Sequence, residues 1–182
     1  MARVRPLDVA EAAPAARAEM ERQLADHGRV TNMKRTLAHS PAALAALMQW
    51  YPLRDAAAAF LGERATTLFA HAVSAQTDCL ICSTFFRRLL AQAGEDPDDL
   101  PLDERERVLV QYGRQLARDP NQVSDELYGR LAAFLEPAQV VTLTAFAGLM
   151  VATNLFNNAL RVDLDEYLWP YRKGTPSPVS SR

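Results

Sequence analysis

The chain is poor in the residues that usually announce a function: two cysteines, three histidines and seven glycines among 182 residues. Each scarcity excludes something. Two cysteines cannot build the disulfide framework of a small secreted protein. The histidines, His27, His39 and His71, all precede the cysteines and form no paired metal motif, which rules out a closed four-ligand zinc site. An open three-ligand arrangement of Cys79, Cys82 and His71 is the one metal geometry left. No segment alternates apolar and polar residues with period two. With glycine scarce and alanine and leucine abundant, the expected class is all-α, a compact helical bundle.

Charge is scarce in informative ways as well. The formal net charge is −2, and no basic stripe interleaves with aromatics, so nucleic acid is not an expected partner. The opening MARVRPLDVAEAAPAARAEMERQ carries charges where a secretion signal needs an apolar centre. The expected location is cytoplasmic. From Pro137 to Leu160 no residue is charged, and the run is long enough to cross a bilayer. It nevertheless contains Asn154, Asn157 and Asn158, whose amides are costly to desolvate in lipid. A core or subunit-interface helix is therefore expected, with no membrane and with further copies of the chain as partners.

Helix punctuation is plentiful. A first helix containing Pro14 should end near His27-Gly28, with a short one near Asn32–Ala38. Ser40-Pro41 is an N-cap followed by proline at the first helical position. Pro52 should kink or break the segment that follows, and Gly62 should end it. A helix from Glu63 to Gln76 should be interrupted at Thr77-Asp78 before another begins at the cysteines. Asp103 and Glu106 form a capping-box pattern. A single helical domain over residues 1–172 is expected, with residues 173–182 a disordered tail.

The two cysteines sit together in TDCLICSTFF. The Cys-x-x-Cys spacing suits half of a metal site, a redox dithiol or a pair of buried apolar fillers. Thiols one helical turn apart can close a disulfide, and a helix N-terminus stabilises thiolate. Asp78 opposes that effect. Helix-terminus logic favours Cys79, expected to be the more exposed thiol, as the nucleophile.

The stretch TLFAHAVSAQTDCLICSTFF resembles the core motif of the alkylhydroperoxidase D-like, or carboxymuconolactone decarboxylase, superfamily, in which AVS leads into a Cys-x-x-Cys helix. VVTLTAFAGLMVATNLFNNALRVDLDE is similar to that family's C-terminal helix. Together the resemblance covers most of residues 40–166. It implies an all-α, commonly oligomeric protein that reduces hydroperoxides through its dithiol, with an external thiol as reductant and no cofactor or metal. It also implies Cys82 as the peroxide-reactive thiol and Cys79 as its resolving partner. The departures are specific. Thr67 falls where the family has glutamate, Phe86 where it has histidine, and Ile81 where some members have another histidine. Neither Thr67 nor Phe86 accepts a proton near neutral pH. His71, one helical turn after Thr67, is the candidate substitute; its alternative role is a core histidine. The alternative functions are a non-catalytic interaction protein and an enzyme acting on a small lactone-like substrate without the thiols.

Overall fold

The computed structural model describes residues 1–174, and among them the regular structure is helical throughout. The α-helices are α1 (Pro14–His27), α2 (Asn32–Leu37), α3 (Pro41–Met48), α4 (Trp50–Leu61), α5 (Glu63–Gln76), α6 (Leu80–Gln92), α7 (Glu104–Arg118), α8 (Asp125–Ala132) and α9 (Pro137–Leu160). A short 3-10 helix, Glu166–Tyr171, packs on α6 after the chain leaves α9. Of the expected tail, only Lys173 and Gly174 fall within the described residues.

The helix boundaries follow from local chemistry. Ser40 Oγ accepts the Ala43 N–H and Pro41 opens α3, the arrangement that satisfies one otherwise unpaired donor. Asp103 and Glu106 cap α7 reciprocally. Gly28, at φ 71°, ends α1 in the left-handed conformation that glycine adopts without penalty. Pro52 corrects the expectation placed on it. The break comes earlier, at Gln49, and Pro52 is the third residue of α4. In a first turn the missing N–H has no intrahelical partner to lose, so the proline starts this helix without kinking it.

The main core is built on α5. Its Phe69, Ala70 and Val73 meet Leu109 and Tyr112 of α7 and Leu143, Phe146 and Met150 of α9. Each fully buried Phe or Leu here contributes about 1.5–3 kcal/mol relative to exposure. Gly113 makes the α5–α7 approach possible, because a Cβ there would lie 3.1 Å from the Phe69 ring. A second cluster, with Ala16, Met20, Leu37, Leu44 and Met48, joins α1, α2 and α3. Met33 and Phe156 touch both clusters. The seam between them holds the cysteines.

Helix α9 carries this seam on its inner face. By length and composition it could cross a membrane, and 39% of its most apolar window is buried within the fold. Its asparagines Asn154 and Asn157 point inward, whereas Val141 and Leu155 are exposed on the opposite face.

Candidate active site

The site begins with a forced turn. Helix α5 stops at Gln76, and Asp78 takes a positive φ of 50°. Aspartate is one of the few non-glycine residues that tolerate this conformation. Cys79 then returns to extended geometry and becomes the N-cap of α6, its N–H donating to Ser74 O at 3.1 Å. The chain thereby folds back, and α5 and α6 pack as a hairpin.

Three asparagines of α9 hold this turn. Asn158 Nδ2 donates to Thr77 O and Asn154 Nδ2 to Thr77 Oγ1, each at 2.8 Å. Asn157 Nδ2 lies 3.3 Å from Cys82 Sγ and 3.9 Å from Cys79 Sγ. The charge-free helix therefore uses its amides to position the dithiol. Sequence spacing shows that the three share a face; it does not show that the face meets a turn some 80 residues earlier in the chain.

Both cysteines are free thiols. The Cys82 N–H donates to Cys79 Sγ at 3.4 Å, as expected of an N-cap side chain. The hydrogen bond between the two thiols is the first cause of opposite shifts. It pulls the Cys79 pKa down, assisted by the Cys82 N–H and Asn157 against the effect of burial. It pushes Cys82 up, and burial adds to the rise. One proton leaves this pair readily and the second reluctantly, with the charge favoured on Cys79 under the helix N-terminus. Access runs the other way. Cys79 is 0% exposed and Cys82 is 7% exposed, which reverses the exposure expected from sequence. The N-cap thiol is enclosed, whereas Cys82 lines a cavity.

That cavity measures about 100 Å³. Ile81, Phe85 and Phe86 of α6 line it beside Cys82, Trp50 and Tyr51 come from α4, and Met150 comes from α9. Its charged lining residues are Lys34 and Asp165. Nothing in the sequence singles out Lys34, because it lies in a six-residue helix among other polar residues, too short to show an apolar period.

The positions where the resemblance places a proton relay are packed. Thr67 is buried and donates its hydroxyl to Glu63 O at 2.8 Å. Phe86 is buried against Trp50 and Phe85. His71 makes no hydrogen bond to either sulfur among the described residues; the charges that influence it are those of Arg87, Arg114, Asp98 and Lys173. Burial, the largest cause, takes its pKa down to about 4, with Arg87 and Arg114 acting in the same direction. Among the described residues no group of three or more His, Cys, Asp or Glu is placed to hold a metal ion.

No family model matches the chain, and no curated protein matches it in sequence. Its likeness is to solved structures. A peroxidase-related protein with an alkylhydroperoxidase AhpD core, from Ralstonia eutropha JMP134, superposes with a TM-score of 0.74 at 15% identity over 93% of this chain and 95% of that one. The debrominase Bmp8 gives a TM-score of 0.74 at 16% identity, over 91% of this chain and 93% of that one. A peroxidase-related protein from Silicibacter sp. TM1040 gives 0.70 at 18% identity, over 90% and 93%. A Bmp8 variant has also been solved in complex with 2,3,4-tribromopyrrole. Near-complete coverage at such low identity establishes architecture: the chain has the all-α alkylhydroperoxidase D-like fold, with its cysteine pair at the start of α6.

Proposed function

We propose that the protein is a dithiol–disulfide oxidoreductase that reduces hydroperoxides at Cys82, with Cys79 as the resolving thiol. The observation that carries this reading is the division of labour in the pair: Cys82 reaches the cavity, and Cys79 lies beneath it within hydrogen-bonding reach. When the pair loses one proton, Cys79 is favoured to carry the charge and Cys82 to keep its proton. Moving that proton from Cys82 to Cys79 arms the accessible sulfur, so the dithiol supplies the base that Thr67 and Phe86 do not. The Cys82 thiolate attacks one peroxide oxygen and the O–O bond breaks. Cys82 is left as a sulfenic acid, and the alkoxide takes a proton from water. The Cys79 thiol then attacks the sulfenic sulfur, closing the disulfide and releasing water. An external dithiol returns both cysteines to the thiol form. A dithiol that an external reductant must reset suits a reducing compartment such as the cytoplasm.

A second reading is favoured by the aromatic and thioether lining of the cavity and by the likeness to Bmp8. It is reductive dehalogenation of a small ring compound. One carbon–halogen bond is replaced by carbon–hydrogen, halide and a proton are released, and the two thiols become the disulfide.

The test is consumption of tert-butyl hydroperoxide with dithiothreitol by the wild type, Cys82→Ser and Cys79→Ser, with halide release from 2,3,4-tribromopyrrole measured in parallel. Peroxide turnover lost in Cys82→Ser, with a trapped sulfenic acid in Cys79→Ser, supports the first reading. Halide release without peroxide turnover supports the second. Neither activity in folded wild type overturns both.

A further inference from the structure

We propose that Lys34 anchors the anionic group of a compact, single-ring organic acid in the Cys82 cavity. The inference rests on the reading that this cavity receives the substrate, and it narrows the substrate class beyond hydroperoxides at large.

Lys34 is 3% exposed, and its ammonium makes no hydrogen bond and no ion pair among the described residues. Lysines this deep are ordinarily paired, because an uncompensated buried charge is destabilising. Elsewhere the same chain pairs its buried cation: Arg87 forks onto Asp98 with contacts of 2.8 and 2.6 Å. Lys34 Nζ instead lies 5.1 Å from the centroid of the Tyr51 ring.

The neighbouring carboxylates are engaged or shielded. Glu19 holds Arg22 and Gln23. Asp165 accepts the Asn32 N–H through Oδ1 at 2.9 Å, and its Oδ2 is sealed from solvent. The Lys34 ammonium has no such seal and is the cation of the cavity's lining. Burial brings its pKa down to about 8, with Glu19, Asp165 and Asp26 opposing the fall, so it carries charge at neutral pH. An incoming anion would supply the missing partner.

The remaining walls define the body of the ligand. Trp50, Phe85 and Phe86 offer flat aromatic surfaces, and Met48 and Met150 offer polarizable thioethers. An engineered cavity of about 150 Å³ accommodates benzene. A cavity of about 100 Å³ is smaller still, so one ring with its edge in the mouth is the body that it suits. Lys34 and Cys82 both line this cavity, so a ring held by its carboxylate at Lys34 shares the space that Cys82 reaches.

Benzoate and its neutral isostere benzamide test the anchor without being reduced. Each is used to protect Cys82 of the reduced wild type from alkylation by iodoacetamide, followed by mass spectrometry of the peptide containing Cys82. Benzoate should protect at a concentration at least tenfold lower than benzamide. Lys34→Met should abolish that preference, and Lys34→Arg should keep it, both in protein shown to be folded by circular dichroism. Equal protection by the two probes in the wild type, or no protection by either, overturns the proposal without any variant. A benzoate preference that survives in folded Lys34→Met overturns it too. If Lys34-dependent protection is found but neither peroxide nor bromopyrrole is turned over, the redox reading fails and the anchor stands. If peroxide or bromopyrrole is turned over with no benzoate preference, the anchor fails and the redox reading stands.

Discussion

Two cavities share one wall in this protein, and they divide its chemistry between them. Trp50, Tyr51, Phe85 and Phe86 border both. On one side lies the Cys82 cavity of about 100 Å³, with Lys34 and Asp165 as its charged residues. On the other lies a space of about 360 Å³ that holds His27, Arg54, Asp55 and Thr67 but no sulfur. Arg54 is occupied with Asp55 and Glu63, and His27 stacks on Tyr51 with centroids 3.7 Å apart. The Cys82 sulfur and the groups His27, Arg54, Asp55 and Thr67 thus stand on opposite sides of an aromatic partition. Phe86, at the position where the resembled family has histidine, is part of that partition. On the sulfur's side the charged groups are Lys34 and Asp165, and Asn157 donates to both sulfurs.

Breaking the partition should have the largest effect. Thr67→Glu with Phe86→His would place a carboxylate in the larger cavity, where there is room for it, and an imidazole in the wall beside the sulfur. General acid–base assistance contributes roughly 10²–10⁴-fold in enzymes, and an imperfectly placed relay should recover about 10–100-fold of it in peroxide turnover. Each single change should give much less than the pair, because a relay works only when it is connected. The comparison holds for variants shown to be folded, since a poorly paired histidine at position 86 costs stability. A folded double variant no faster than wild type would remove the relay account of the departures.

The next effect sharpens the role of α9. Asn157→Leu removes the amide donor from both sulfurs. A hydrogen bond to a charged group contributes about 1.5–3 kcal/mol, so the rate of thiol alkylation at neutral pH should fall by about tenfold or more. Stability should change little, because Asn157 Oδ1 is already buried without a partner. Asn158→Ala, which loosens only the Thr77 carbonyl, should leave the thiols nearly as reactive. Equal slowing by both substitutions would mean that turn geometry, and not the amide–sulfur contact, sets reactivity.

The same residues show how much of the molecule is legible in its sequence. The helix ends at Gly28, Ser40, Gly62, Asp103 and the Thr77-Asp78 break can be read directly, because capping and left-handed turns are local chemistry. That the two cysteines lie one helical turn apart is equally plain from their spacing, which leaves open a metal half-site, a redox dithiol or a pair of apolar fillers. Pro52 misleads because the break at Gln49 has no breaker residue to mark it. What stays hidden is everything made by long-range packing. Asn157 meets sulfurs 75 and 78 positions away. Lys34 becomes a cavity residue only when residues of α2, α4, α6 and α9 come together around one space.

Lys34→Met should have a smaller effect, seen in stability rather than rate. The folded lysine titrates at about 8, below its usual 10.5, so burying its charge opposes folding below about pH 8. That opposition is relieved as pH rises from about 8 to 10.5, where the unfolded chain still holds the proton and the folded protein has lost it. At pH 7 the methionine variant should therefore be the more stable, by roughly 1–3 kcal/mol on the usual cost of an unpaired buried group. The gap should narrow towards pH 10.5. Urea denaturation at pH 7, 9 and 10.5 measures it; a variant less stable than wild type at pH 7 would show that Lys34 has a structural partner.

The smallest effect on rate is expected at His71. Its pKa in the folded protein, about 4, means that it is neutral across the range in which a thiol peroxidase would work. A group that does not titrate near pH 7 and touches neither sulfur gives no pH-dependent assistance there, so His71→Leu should leave peroxide turnover per folded molecule within about twofold from pH 6 to 8. Its signature should be thermodynamic. In the unfolded chain the imidazole takes up a proton near its usual 6.5, while the folded protein resists protonation down to about 4. The unfolded state thus binds more protons within that window, and the wild type should lose stability as the pH falls from 6.5 to 4. Replacing the imidazole with an apolar side chain should remove that part of the acid sensitivity, whatever the substitution does to stability at pH 7. Chemical denaturation of both proteins at pH 7, 5.5 and 4 reads the difference directly. If the variant and wild type lose stability in parallel, His71 is not held neutral in the fold. If turnover falls about tenfold or more in folded His71→Leu with its pH dependence flattened near 6.5, the histidine is the relay after all, and the hairpin of α5 and α6 must move to bring it to Cys82.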